Sequence, residues 1–126
     1  MKILIAEDDS MIMKLIRTRL EKDGYEVITA NNGDLALDKI KEEYFDLIIT
    51  DIMMPFISGL ELVSTVKNTL KKKTPIIVLS NMHLEATILE AFRLGADDFI
   101  TKPFSPNELS VRVAKILNRI ELDPHG

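Results

Sequence analysis

Five short runs of apolar, mostly β-branched residues punctuate the chain: Ile3 to Ala6, Tyr25 to Thr29, Leu47 to Thr50, Ile76 to Leu79, and Phe99 to Ile100. They are nearly continuous instead of alternating with polar residues, which predicts strands covered on both faces, as in a parallel sheet. Between and after them the apolar positions change to helical spacing. Ile12, Leu15, Ile16 and Leu20 mark one face, Leu37, Ile40 and Tyr44 a second, and Leu62, Val63, Val66 and Leu70 a third. A fourth carries Leu84, Ile88 and Phe92, and a fifth Leu109, Val113, Ile116, Leu117 and Ile120. Gly24 and Gly95 stand where helices end in a left-handed residue, and Pro106 opens the last helix. Strand then helix, five times over, predicts right-handed crossovers and an α/β fold: a doubly wound, five-stranded parallel sheet with five helices.

Composition narrows the class. At 126 residues the chain is the size of one domain with a single core, expected over residues 1–121 with 122–126 as a C-terminal tail. The apolar runs fall far short of the ~20 residues that span a bilayer. The first of them is too short for a secretory signal, so a cytoplasmic location is expected. There is no cysteine, which excludes disulfides, thiolate metal sites and thiol catalysis. A net charge of −4 argues against direct nucleic-acid binding by this domain. Lys71-Lys72-Lys73 reads as the solvated C-terminus of the third helix, and His83 and His125 have no partner at metal-ligand spacing.

Open α/β sheets gather ligands beyond the carboxyl ends of their strands. Here those ends carry Glu7, Asp8 and Asp9 after strand one, Asp51 after strand three, Ser80 after strand four and Lys102 after strand five. Carboxylates brought together raise one another's pKa unless positive charge lies among them. An all-oxygen set without histidine or cysteine suits Mg²⁺ or Mn²⁺ and not Zn²⁺. Taken singly, Asp8, Asp9 or Ser10 can each cap the first helix.

Together the residues match a family. Ile-Leu-Ile-Ala-Glu7-Asp8-Asp9, Ile-Ile-Thr-Asp51-Ile-Met-Met-Pro55, Val-Leu-Ser80 and Thr-Lys102-Pro103-Phe104 resemble response-regulator receiver domains over nearly the whole chain. The resemblance implies the flavodoxin-like strand order 2-1-3-4-5, which makes strands one and three neighbours and brings Glu7, Asp8 and Asp51 together. It implies that Asp51 accepts a phosphoryl group from a histidine kinase or phosphotransfer protein. Mg²⁺ would be held directly by Asp8 and Asp51 and by the Met53 carbonyl, with Glu7 acting through water. Ser80 resembles the hydroxyl that binds a phosphoryl oxygen, and Lys102 the cation that pairs first with Asp51 and then with the phosphoryl group. Lys102-Pro103 resembles the family's cis-proline turn.

Phe99 stands at the family's aromatic switch position, where the ring follows Ser80 inward and alters the surface of helix four, strand five and helix five. Ser58 replaces the usual Asp, and Asn81 a usually smaller residue, without touching the chemistry. Met53 and Met82 lie where a polar group in other receivers orients water, which implies slow self-dephosphorylation. Ser105-Pro106-x-Glu108-Leu109-x-x-Arg112 is similar to receivers joined to winged-helix DNA-binding domains. In those, residues at the positions of Asp98 with Arg112 and Asp97 with Arg119 pair across a two-fold axis. Ile88 departs from the basic partner expected for Glu108. The resemblance therefore implies a signalling switch, not an enzyme acting on outside substrates, with a homodimer on phosphorylation. Three rivals remain. An aspartyl-phosphate hydrolase would need a second carboxylate that Asp51-Ile52-Met53 lacks. A flavin module would need phosphate-cradling donors after strand one, and a pseudo-receiver scaffold would lack the acceptor or the lysine.

Overall fold

The computed structural model of the chain describes residues 1–81 and 84–122, with the backbone alone for 119–122. Five strands, β1 (Lys2–Ala6), β2 (Glu26–Ala30), β3 (Leu47–Asp51), β4 (Ile76–Ser80) and β5 (Asp98–Thr101), form one sheet in the order β2-β1-β3-β4-β5. Every neighbouring pair is parallel, as the unbroken apolar runs predict. The helices are α1 (Ser10–Lys22), α2 (Gly33–Glu42), α3 (Gly59–Ser64), α4 (Glu85–Leu94) and α5 (Pro106–Leu122). Helix α5 reaches Leu122, the first residue of the expected tail; 123–126 lie outside the described residues.

Strand side chains alternate between two apolar layers, which is why the strands have no polar face. Leu4, Ala6, Ile48, Ile76 and Val78 pack with Ala36 and Ile40 of α2, Leu62 and Val63 of α3, and Ala91 of α4. Ile3, Ile5, Leu47, Ile49, Ile77 and Leu79 pack on the other side with Ile16 and Leu20 of α1 and Leu109, Val113, Ile116 and Leu117 of α5. Burying each such side chain stabilises the fold by about 1.5–3 kcal/mol, so the two layers dominate over any single cap or ion pair.

The strands extend beyond their apolar runs, because ladder bonds are made by main chain and admit Asp51, Ser80, Asp98 and Thr101 at the ends. Helix α1 is capped by Asp9, whose Oδ1 accepts from the N–H groups of Met11 (2.9 Å) and Ile12 (3.2 Å). Asp8 is thereby left for other work. Gly24 and Gly95 adopt left-handed φ angles of 99° and 117°.

Four helical readings need correction. Leu15 of the first apolar set is 44% exposed, and α1 meets the core through Ile16 and Leu20 instead. Tyr44 follows α2 instead of lying on it and is 74% exposed, while Ala36 takes its place in the core. Leu84 and Phe92 of the fourth apolar set face outward, and Ala91 meets the sheet because a small residue permits close approach. The third helix widens into a π-helical turn, Thr65–Thr69, and Lys71 then turns left-handed at φ 54°. Of the lysine run, Lys72 donates to the Ile40 carbonyl near the end of α2 at 2.9 Å, capping a neighbouring helix instead of its own.

The loop after β3 holds a bulky aromatic residue in a strained conformation. Phe56 has φ 72° with its ring 78% exposed, so burial returns little against a left-handed conformation that costs roughly 1–2 kcal/mol. Its neighbours impose the bend: Gly33 and Ile57 both donate to the Pro55 carbonyl, at 3.3 and 2.9 Å. A Cβ on Gly33 would lie 2.2 Å from the Ile57 carbonyl oxygen, so α2 presses directly on this loop. Phe56→Gly is expected to stabilise the protein by about 1 kcal/mol; a lower thermal midpoint in calorimetry would refute the strain.

Candidate functional site

Among the described residues the buried polar and charged side chains are Glu7, Thr50, Asp51 and Ser80. All four lie at the carboxyl edge of the sheet, where β1, β3 and β4 end side by side. The topology brings Glu7 and Asp8, just beyond β1, against Asp51 at the end of β3. One carboxylate oxygen from each lies within 4.8 Å of the others, with Asp8 exposed and the other two buried.

Lys102 enters from the turn after β5. Its ammonium is 3.1 Å from Glu7 Oε1 and 3.2 Å from Asp51 Oδ1. Its main-chain N–H donates to the Ser80 carbonyl at 2.7 Å, and the Lys102–Pro103 bond is cis. Asp51 Oδ1 also accepts from the Ile52 N–H at 3.0 Å. Glu7 Oε2 is buried without a hydrogen-bond partner. Burial above all, and then repulsion from Asp51, push the Glu7 carboxyl up to about 7, although Lys102 pulls it back.

These features fit a hard divalent cation. Three carboxylates face one ammonium, every donor is oxygen, and one buried oxygen of Glu7 lacks a partner. Asp8 and Met53 line an open groove of about 400 Å³ with Met54, Pro55 and Ser58, so the cluster is reachable from solvent. Met53 is 59% exposed, while Met82 lies outside the described residues.

Ser80 is 1% exposed, and Phe99 on the next strand packs in the α2–α4 layer. Ser80 pairs in register with Thr101, and Phe99 with Val78. Ser80 and Phe99 therefore stand on the same face of the sheet, diagonal to one another across neighbouring strands.

With this geometry in place, comparison with known proteins is decisive. Residues 3–114 match the family model of the response regulator receiver domain. The chain is a receiver domain of that family. It is 42% identical over 118 residues to the transcriptional regulatory protein ResD of Bacillus subtilis, covering 94% of this chain and 48% of that protein. Over 121 residues it is 41% identical to the alkaline phosphatase synthesis transcriptional regulatory protein PhoP of the same organism, covering 96% and 50%. The receiver thus spans about half the length of these curated relatives. Its fold also resembles the Francisella response regulator 1452 receiver domain, with a TM-score of 0.89 and 36% identity over 94% of this chain and 97% of that one.

On the opposite flank the charges expected to pair between copies are engaged within one receiver. Arg112 donates to both oxygens of Asp98 at 2.9 Å and lies 3.4 Å from Glu108, which therefore has a mate one turn away despite Ile88. Asp97 Oδ2 accepts from Lys67 at 3.1 Å and from the Ile76 N–H at 2.8 Å. The side chain of Arg119 lies outside the described residues. Two of these residues escaped the sequence reading. Lys67 gave no local sign of its partner 30 residues on. Thr50 did give one, a hydroxyl closing the apolar run just ahead of Asp51.

The raised Glu7 carboxyl sets a pH dependence. Its folded pKa of about 7 exceeds its ordinary value of 4.5, so the folded state favours the proton. The stability this confers is full below pH 4.5 and is lost as pH rises through about 7. Denaturant titrations in EDTA should show that decline over the same window, and Glu7→Gln should flatten it. An unchanged slope in the variant would assign the effect elsewhere.

Proposed function

We propose that this receiver is a phosphorylation-activated switch that accepts a phosphoryl group on Asp51 from a histidine kinase or phosphotransfer protein. The observation that carries the reading is the buried Asp51 carboxylate paired with Lys102 inside a three-carboxylate cluster. A carboxylate needs no proton removed before it attacks phosphorus, so the surrounding groups need only align it and offset charge. Asp8, Asp51 and the Met53 carbonyl would hold Mg²⁺ directly and Glu7 through water. When bound, the ion neutralises charge on the transferring oxygens. Lys102 shifts from Asp51 toward the new phosphoryl group, and Ser80 turns its hydroxyl to another phosphoryl oxygen. Phe99 follows into the space that Ser80 leaves, and the surface of α4, β5 and α5 changes shape.

A scaffold that works without phosphorylation is not favoured, because Asp51 and Lys102 are both present and paired. The reading places the receiver, residues 1–121, in the cytoplasm as the input half of a longer regulator like those it resembles. It also implies a phosphorylation-dependent homodimer through α4, β5 and α5. Arg112 and Asp98 would then have to exchange their internal pairing for one across the two-fold axis.

Incubation with Mg²⁺ and acetyl phosphate should add one phosphoryl group by intact mass, absent in Asp51→Asn and lost in EDTA or Asp8→Ala. In Met53→Asn the adduct should decay faster. Addition that persists in EDTA would overturn the site.

Light scattering of the beryllofluoride-treated receiver should report a dimer that Arg112→Glu abolishes. A monomer in both samples at high concentration would leave this surface to a different partner.

A further inference from the structure

Among the described residues, three of the four buried polar side chains belong to the site proposed above; the fourth is Thr50. It is fully buried on β3, in a register row that runs Ala30, Ala6, Thr50, Val78, Phe99 across the sheet. The rest of that row is apolar, and a valine has the same shape. A buried hydroxyl is unfavourable unless bonded, so its partner explains its presence. Thr50 Oγ1 donates to the main-chain oxygen of Asp51 at 3.0 Å; among the described residues its other contact of this kind is Met54 Sδ at 3.9 Å, a weak acceptor.

That carbonyl belongs to the peptide joining Asp51 to Ile52, which is held from three sides. Thr50 holds its oxygen. Its N–H is shared between the Leu79 carbonyl on β4 and Asp51's own Oδ1, both at 3.0 Å. Gly59 at the start of α3 lies flat against it: a Cβ there would meet the Asp51 oxygen at 2.1 Å and Ile52 Cα at 2.8 Å. The orientation of this peptide therefore fixes where Asp51 Oδ1 points, and Oδ1 is the oxygen that meets Lys102 at 3.2 Å.

We propose that Thr50 is a positioning residue for phosphoryl transfer onto Asp51, its hydroxyl holding the following peptide so that the carboxylate faces the site. The proposal rests on Asp51 being the acceptor. Thr50 touches neither the donor nor the transferring group and acts wholly through that peptide.

The test compares Thr50→Val, which keeps the shape and removes the hydroxyl, with Thr50→Ser, which keeps the hydroxyl and removes a methyl. Second-order rate constants for phosphorylation by acetyl phosphate at saturating Mg²⁺ are measured beside thermal midpoints. Thr50→Val should react about tenfold more slowly, since small misplacements of a reacting group carry costs of this order. Thr50→Ser should stay within about twofold of the parent despite the lower midpoint expected from a lost buried methyl. Rate and stability would then fall in opposite orders, which a merely structural role does not produce. Thr50→Val reacting at the parental rate, or both variants slowing in step with their midpoints, would overturn the proposal. Phosphorylation that survives Asp51→Asn in the same assay would instead overturn the reading of the acceptor.

Discussion

Holding the carboxylates of Glu7, Asp8 and Asp51 within 4.8 Å of one another builds in a repulsion that the rest of the molecule must contain. At an effective dielectric of about 20, each pair of full charges at that distance repels by roughly 3 kcal/mol. That is a large part of the 5–15 kcal/mol that keeps a typical domain folded. Lys102 offsets some of it by touching two of the three, and Glu7 relieves more by holding its proton to about pH 7. What remains is an attraction for positive charge, which is the property that a phosphoryl-accepting site bound to a divalent cation requires.

The architecture serves that cluster. Strand order β2-β1-β3-β4-β5 sets the ends of β1 and β3 side by side and delivers Ser80 and Lys102 from the next two strands. Two apolar layers cover the sheet and keep its strands from shifting, so side chains at its carboxyl edge inherit fixed positions. The caps work around the site without using its chemistry. Asp9 takes the N-terminus of α1 and leaves Asp8 free for the groove, while Ser58 caps α3 by accepting from the Glu61 N–H at 3.1 Å. Ser58 therefore has a local task that explains a small hydroxyl residue at that position.

The flank formed by α4, β5 and α5 is organised differently. Two of its carboxylates are already satisfied within one chain: Asp98 by Arg112 and by the Phe99 N–H, and Asp97 by Lys67 and the Ile76 N–H. These ion pairs are partly buried and their carboxylates also accept main-chain N–H groups, so a second copy that claimed Arg112 would have to offer Asp98 an equivalent partner. The same face exposes Leu89 and Val111, whose apolar area is open to any protein that docks there.

The sequence by itself determined the elements and the kind of chemistry. Strands and helices follow from periodicity over a few residues, and the acids, the hydroxyl and the lysine could be assigned to strand ends once those elements were placed. Where the pattern misled, α2 ends before Tyr44 and Lys71 turns left-handed after the third helix, whereas Leu84, just ahead of α4, and Phe92, within it, face outward and leave the sheet contact to Ala91. Tertiary structure alone decided which groups meet. Lys102 finds Glu7 across 95 positions of sequence, Lys72 finds the Ile40 carbonyl across 32, and Arg112 closes on Asp98 within its own chain. It also decided that Glu7 is buried with one oxygen unpartnered and that Thr50 donates to Asp51's main chain instead of merely filling space. Local patterns report the conformation of a segment, whereas burial, pKa and hydrogen-bond partners are set by neighbours that only the assembled sheet brings into contact.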